Sequence, residues 1–245
     1  MSRIGRVQAE FRAASASFIR RRTAVFFTFF FPAILIVIFG ALVGTQAGGL
    51  FAEPPAYYVP GYLAVIVLFT PLSRVSSSVT RHREGRRFEK LATTPLTPGE
   101  WLVAHTLVNV VLVGIASILV LGLVTLLTPA RFLFSPALIP FIGLGVALFC
   151  GVGALIGRGA GSQDGAIAAS NGIGLPLLFL SETFVPPGLL PDWFQPIVNL
   201  SPLTYFARGS RAAIMGGDWT VALMITGVLA VIVFAAGARA LPWRT

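Results

Sequence analysis

Lysine occurs once in this 245-residue chain, at Lys90; cysteine occurs once, at Cys150, and histidine twice, at His82 and His105. Each scarcity closes off a kind of chemistry. A phosphate-binding loop needs a lysine followed by Ser or Thr after a glycine-rich turn. Lys90 is preceded by Phe88-Glu89 and followed by Leu91, so the chain carries no Walker-type ATPase site of its own. One cysteine excludes an intrachain disulfide, and Cys150 lies in an apolar run where it reads as a small core residue. The two histidines have no Cys or carboxylate at ligand spacing, so no metal site is expected. No Gly-x-Ser-x-Gly elbow and no pair of intramembrane aspartates occurs, so no catalytic residue is expected either.

Charge is scarce as well. Charged residues are 11% of the chain against about 25% in a soluble domain. Hydrophobic residues make up 56%, and the mean hydropathy is +0.85. Such a chain is embedded in a bilayer, where about 20 apolar residues cross as a helix. Six apolar stretches fit that length, near residues 23–42, 58–79, 101–127, 137–157, 165–185 and 219–238. Backbone groups in lipid must be satisfied within the segment, and none of the stretches alternates like a barrel strand. The expected fold is all-α, with six transmembrane helices in a single domain, 1–245. The run from Thr23 to Ala52 is too long for the apolar core of a signal peptide, so the first stretch is read as a retained span.

The net charge of +9 lies beside the apolar stretches, which favours anionic lipid headgroups over nucleic acid as its partner. With the N-terminus cytoplasmic, that side holds Arg3, Arg6, Arg12, Arg20, Arg21 and Arg22. It also holds Arg81, Arg83, Arg86, Arg87, Lys90, Arg158, Arg239 and Arg244, with Arg74 snorkelling toward it. Outside stand Arg131, Arg208 and Arg211, so fifteen basic residues face three. The positive-inside rule then places both termini in the cytoplasm of a multi-pass cytoplasmic-membrane protein.

Three segments between or before the spans carry further signals. Ile4, Val7, Phe11, Ala14 and Phe18 form one helical stripe, so residues 2–20 are expected as an amphipathic helix in the membrane interface. Residues 186–218 are too apolar for a solvated loop and too broken by proline for a span. Short re-entrant helices, or helices lying flat with Trp193 and Tyr205 as anchors, fit them. Within residues 81–100, Glu84 to Ala92 is expected as a short helix ended by Thr94-Pro95. Thr97-Pro98-Gly99-Glu100 then opens the next helix with a capping box. That segment reads either as a projecting helix with an exposed Phe88 for a protein contact, or as an ordinary basic loop.

Two motifs resolve the choice by resemblance. Arg83-Glu-Gly-Arg-Arg-Phe-Glu-Lys-Leu-Ala-Thr-Thr-Pro-Leu-Thr97 resembles the segment after span 2 of type-2 ATP-binding-cassette (ABC) transporter permeases. Phe179-Leu-Ser-Glu-Thr-Phe-Val-Pro, then Leu190-Pro-Asp-Trp, then Asn199-Leu-Ser-Pro-Leu-Thr-Tyr205 resembles the family's pattern around span 5 and after it. The resemblance covers the whole chain and leans to the drug- and polyketide-export branch. It departs at Ser181-Glu182, where the family often has Ser-Gly.

The resemblance implies a permease subunit of an ATP-driven exporter of amphipathic or lipid-like compounds (drug, polyketide or glycolipid). Such a chain is not itself an enzyme. ATP and Mg would sit on a separate ATP-binding subunit, and a second permease copy, identical or homologous, would complete the pathway. The partner-binding coupling helix would use Arg86, Arg87, Phe88, Glu89, Lys90, Leu91, Thr94 and Pro95. The substrate path would use Ser170, Asn171, Ser181 and Glu182. Gly172 and Gly174 of span 5 read equally as part of that path and as a tight helix contact. The rival reading is an ion-coupled secondary transporter built on Glu182, the one carboxylate in an apolar stretch.

Overall fold

A computed structural model of the chain describes residues 2–20, 22–42, 53–130, 132–186, 188 and 191–243. The described residues form helices and no strands. In chain order the helices are α1 (Arg3–Ile19), α2 (Arg22–Leu42), α3 (Pro55–Glu84), α4 (Arg87–Ala92) and α5 (Pro98–Leu127). They continue with α6 (Leu138–Gly159), α7 (Gln163–Phe179), α8 (Gln195–Leu200), α9 (Pro202–Met215) and α10 (Thr220–Ala240). Among the described residues, α3, α5, α6 and α10 are long and apolar enough to cross a membrane. The first expected span coincides with α2, of 21 residues. The fifth coincides with α7, which has 17 residues and ends at Phe179 rather than Val185. Arg21, Arg131 and Arg244, assigned to sides above, lie outside the described residues.

Close backbone approach builds the centre. A Cβ on Gly157 of α6 would stand 2.5 Å from the Ser76 carbonyl of α3, and one on Gly153 would stand 2.7 Å from the Leu72 carbonyl. On the opposite side, a Cβ on Gly237 of α10 would stand 2.6 Å from the Gly151 carbonyl. Helix α6 is therefore held between α3 and α10 by backbones that no larger residue would allow to meet. Contacts advance in the same order along these three helices, so they run parallel. Helices α5 and α7 run against them: Asn109 meets Arg74 and Trp101 meets His82, while Ser170 meets Ser76. Of the two span-5 glycines, Gly174 makes the tight contact, against Phe69, whereas Gly172 faces open space.

Helix α1 starts on a Ser2 cap, whose hydroxyl accepts from Gly5 N–H at 3.2 Å. Its apolar stripe buries progressively, from an exposed Ile4 to a buried Ala14 and Phe18. The residues off that stripe fasten it to α5: Arg6 binds Glu100 at 2.5 Å, and His105 Nε2 meets Glu10 Oε1 at 3.2 Å. Between α7 and α10, α8 and α9 form a hairpin turning at Ser201-Pro202. Phe206 of α9 packs at Gly145 and Gly209 packs at Phe141 of α6. The hairpin thus reaches about 10 Å past the start of α6, counting seven residues from Leu138. Gly216, at φ 77°, ends α9 in the left-handed conformation that glycine adopts without steric cost.

Candidate functional site

At one end of the bundle, α3 continues beyond the expected Val79 boundary to Glu84 before the chain turns. Gly85 and Arg86 make the turn, with Arg86 at φ 49°. Helix α4 then runs from Arg87, shorter than the expected Glu84–Ala92 helix. Thr93 and Thr94 close it, their hydroxyls donating to the Lys90 and Leu91 carbonyls at 2.8 and 2.6 Å. Thr97 and Glu100 form the expected capping box, with Glu100 N–H donating to Thr97 Oγ1 and Thr97 N–H to Glu100 Oε2.

The position of Phe88 differs from the expectation of an exposed contact residue. It is 2% exposed and sits 5.4 Å from each of the rings of His82, Trp101 and Trp243. Its partners explain why: α4 is too short to stand alone and buries its one aromatic to hold itself against α3 and α5. Trp101 and Trp243 were not singled out from the sequence. Both are aromatic residues bordering charged segments, which is the signal that could have found them. The rest of α4 divides by face. Arg87, Lys90, Leu91 and Thr94 line a cavity against α1, α3 and α7. Arg86, Glu89, Ala92, Thr93 and Pro95 are exposed. A second groove runs from Pro95 to Trp243 beneath α4 and includes Arg83, Arg158 and Arg239. The Arg83 guanidinium is anchored there on the Arg158 and Ala160 carbonyls.

Helix α1 joins this end through Glu10. Burial opposes a charge on that carboxyl, but its hydrogen bond with His105 and the nearby imidazoles outweigh burial and hold it below its ordinary value.

The four expected path residues do not share one environment. Ser170 is fully buried and bonds Ser76 at 2.7 Å, so it joins α7 to α3. Asn171 is exposed on α7. Ser181 is buried, donating to the Leu178 carbonyl at 2.8 Å and bonding Thr183. Glu182, expected from the sequence as a path residue or, in the rival reading, an ion-coupling carboxylate, is 2% exposed and held by Arg208, which donates Nε to Oε2 at 2.7 Å and a second hydrogen bond to Oε1. Arg211 donates to the Glu182 carbonyl at 2.8 Å and to the Tyr57 carbonyl at 3.3 Å, with its guanidinium 3.9 Å above the Tyr57 ring. This network ties the start of α3, the turn after α7 and α9 together. A carboxylate paired this way is poorly placed to carry protons or to attract a cation. The pairing was hidden because Glu182 and Arg208 lie 26 residues apart.

The exposed faces of the long helices also differ. On α5 the exposed side carries Val103, Leu107, Val111, Ile115 and Ile118, and on α10 it carries Val221, Met224, Val228, Val231 and Ile232. On α7 it carries Ala168, Ala169, Asn171 and Gly172 along with Ile173, Leu175 and Phe179. Bulky branched side chains suit lipid, whereas small and polar ones suit close helix contact or a pathway.

Comparison with known proteins agrees with this architecture. Residues 6–215 match the family described as ABC-2 type transporter. The chain is 28% identical over 201 residues to the daunorubicin resistance ABC transporter permease protein DrrB1 of Streptomyces coeruleorubidus, covering 79% of this chain and 70% of that one. It is 27% identical over 210 residues to the inner membrane transport permease YadH of Escherichia coli K12, covering 82% and 79%. It is 24% identical over 211 residues to the probable doxorubicin resistance ABC transporter permease protein DrrC of Mycobacterium tuberculosis, covering 84% and 74%. A match across most of the chain, on a bundle of long apolar helices, makes this protein a member of the ABC-2 type transporter permease family.

Proposed function

We propose that the chain is the membrane subunit of an ATP-driven exporter, with six spans and both termini in the cytoplasm. The observation that carries this reading is α4. It is a short helix braced from behind by Phe88 on Trp101 and Trp243, with Arg86, Glu89, Ala92 and Thr93 presented outward. A helix fixed in this way transmits a push from a docked ATP-binding subunit into α3 and α5, which flank it in the chain. The lack of a phosphate-binding lysine motif in the chain supports a separate energy source.

A second permease copy would pack on the small-residue face of α7, and the transport path would run between the two copies beside Asn171 and Gly172. The α8–α9 hairpin would dip into the outer leaflet, with its backbone covered by α6 and α3. Two relatives carry daunorubicin or doxorubicin resistance in their names, which supports an amphipathic substrate. The Glu182–Arg208 pair weighs against the ion-coupled alternative.

Affinity purification of the tagged chain from its native membrane in mild detergent tests the reading. An ATP-binding subunit should co-purify and hydrolyse ATP, and inside-out vesicles should accumulate substrate on ATP addition in the presence of an uncoupler. Transport that collapses with the uncoupler and ignores ATP contradicts it.

A further inference from the structure

The cavity beside α4 has a volume of about 730 Å³ and lies between α1, α3, α4, α5 and α7. Four cations line it, Arg74, Arg81, Arg87 and Lys90, against one carboxylate, Glu10, which His105 already engages. Two of the cations are held in place: Arg74 donates to Asn109 Oδ1 at 3.0 Å with Phe18 4.1 Å below its guanidinium, and Arg81 donates to Ser78 Oγ at 3.2 Å. Hydroxyls of Ser17, Ser73 and Ser77 add donors suited to oxygen anions. His82, Thr94 and Gln163 add further polar groups, and an apolar part of the wall comes from Ala14, Phe18 and Ile167. Depth decides between a small anion and a segment of protein. Ser73 lies about 16 Å back along α3 from Glu84, well inside the span.

We propose that this cavity is a binding site for a phosphate-type oxyanion, in particular the headgroup of an anionic amphiphile entering from the leaflet on the α4 side. Deepening the exporter reading, it assigns the substrate or lipid partner to the anionic amphiphiles. The cations take the headgroup, and the apolar wall of α1 and α7 takes the start of the chain. Binding itself requires neither ATP nor transport.

The test uses the purified full chain in neutral maltoside micelles with a fluorescent short-chain phosphatidic acid as probe. Unlabelled phosphatidic acid, phosphatidylcholine of the same chain length and inorganic phosphate serve as competitors. Arg87→Gln with Lys90→Gln, both exposed and so compatible with folding, should weaken the probe roughly 10- to 30-fold. Arg81→Gln should weaken it several-fold and Arg81→Lys should restore much of it. Arg239→Gln, at the same end but in the other groove, should bind as wild type. Competition by inorganic phosphate as strong as by phosphatidic acid assigns the site to a free anion; competition by phosphatidic acid alone assigns it to a lipid headgroup. Equal competition by phosphatidylcholine, wild-type binding by the double variant, or loss of probe whenever the ATP-binding subunit is attached overturns the proposal. If the probe binds as expected but no ATP-binding subunit ever accompanies the chain, the exporter reading fails and the anion site stands.

Discussion

The two ends of the bundle handle charge in opposite ways. At the α4 end, Arg86, Arg87, Glu89 and Lys90 are exposed around a buried aromatic brace. At the other end, Glu182 is sealed beneath Arg208 and Arg211, and those guanidiniums cross-link three segments. Charge that is left accessible can meet a partner or an anion. Charge that is paired and buried fixes geometry. The same residue types are therefore left accessible at one end and locked into pairs at the other, and only their packing distinguishes the two ends.

The largest effect should come from removing the brace. Phe88→Ala should cost about 3–5 kcal/mol, as for a fully buried aromatic, read as a fall in thermal midpoint in detergent. ATP-binding-subunit recovery should fall with it, because α4 loses its seat. At the opposite end, Glu182→Gln should cost less, about 2 kcal/mol, since Arg208 is partly exposed. It should leave the ATP-binding subunit attached. If Glu182→Gln instead abolished uptake driven by an ion gradient without a thermal shift, the contrast between the ends would be lost.

Two smaller changes sharpen the contrast. Arg86→Gly should stabilise the α3–α4 turn by up to about 1 kcal/mol, because Arg86 occupies a left-handed conformation that glycine takes freely. A thermal midpoint raised with reduced partner recovery would show Arg86 retained for contact rather than for the turn. The smallest effect concerns pH. The Glu10 carboxyl is held below its ordinary value, so its contribution to holding α1 on α5 is fully present above about pH 4.3. That contribution should fade as pH falls through the depressed value, seen as faster proteolysis of α1. Glu10→Gln should show the faster cleavage already at neutral pH.

Much of this architecture was legible in the chain. The run lengths fixed the helical class, and Thr97-Pro98-Gly99-Glu100 specified the start of α5 through local backbone chemistry. The Ile4-to-Phe18 periodicity gave α1. The misjudged features depended on partners distant in sequence. Phe88 read as exposed because a six-residue helix has no burial pattern of its own, and its neighbours Trp101 and Trp243 come from other segments. Glu182 read as a lone carboxylate because Arg208 lies on another helix. Ser170, expected beside the path, also bonds Ser76 on α3 through a buried hydrogen bond that no local pattern announces. Local rules thus set the elements, and tertiary contacts decided which polar and aromatic side chains remained available.

The measurement that tests the account most directly is site-specific cross-linking from the outward face of α4. Cys150 is fully buried, so Glu89→Cys provides a single accessible reporter thiol among the described residues. With a short thiol-to-amine cross-linker in native membranes, Glu89→Cys should form one adduct with an ATP-binding subunit. The adduct yield should change with nucleotide, and Asn171→Cys treated with a thiol-to-thiol cross-linker should instead join two permease copies. An α4 thiol that reacts freely with a water-soluble maleimide, yet yields no adduct with any ATP-binding chain, would contradict the docking role of α4 and with it the account of how this permease is driven.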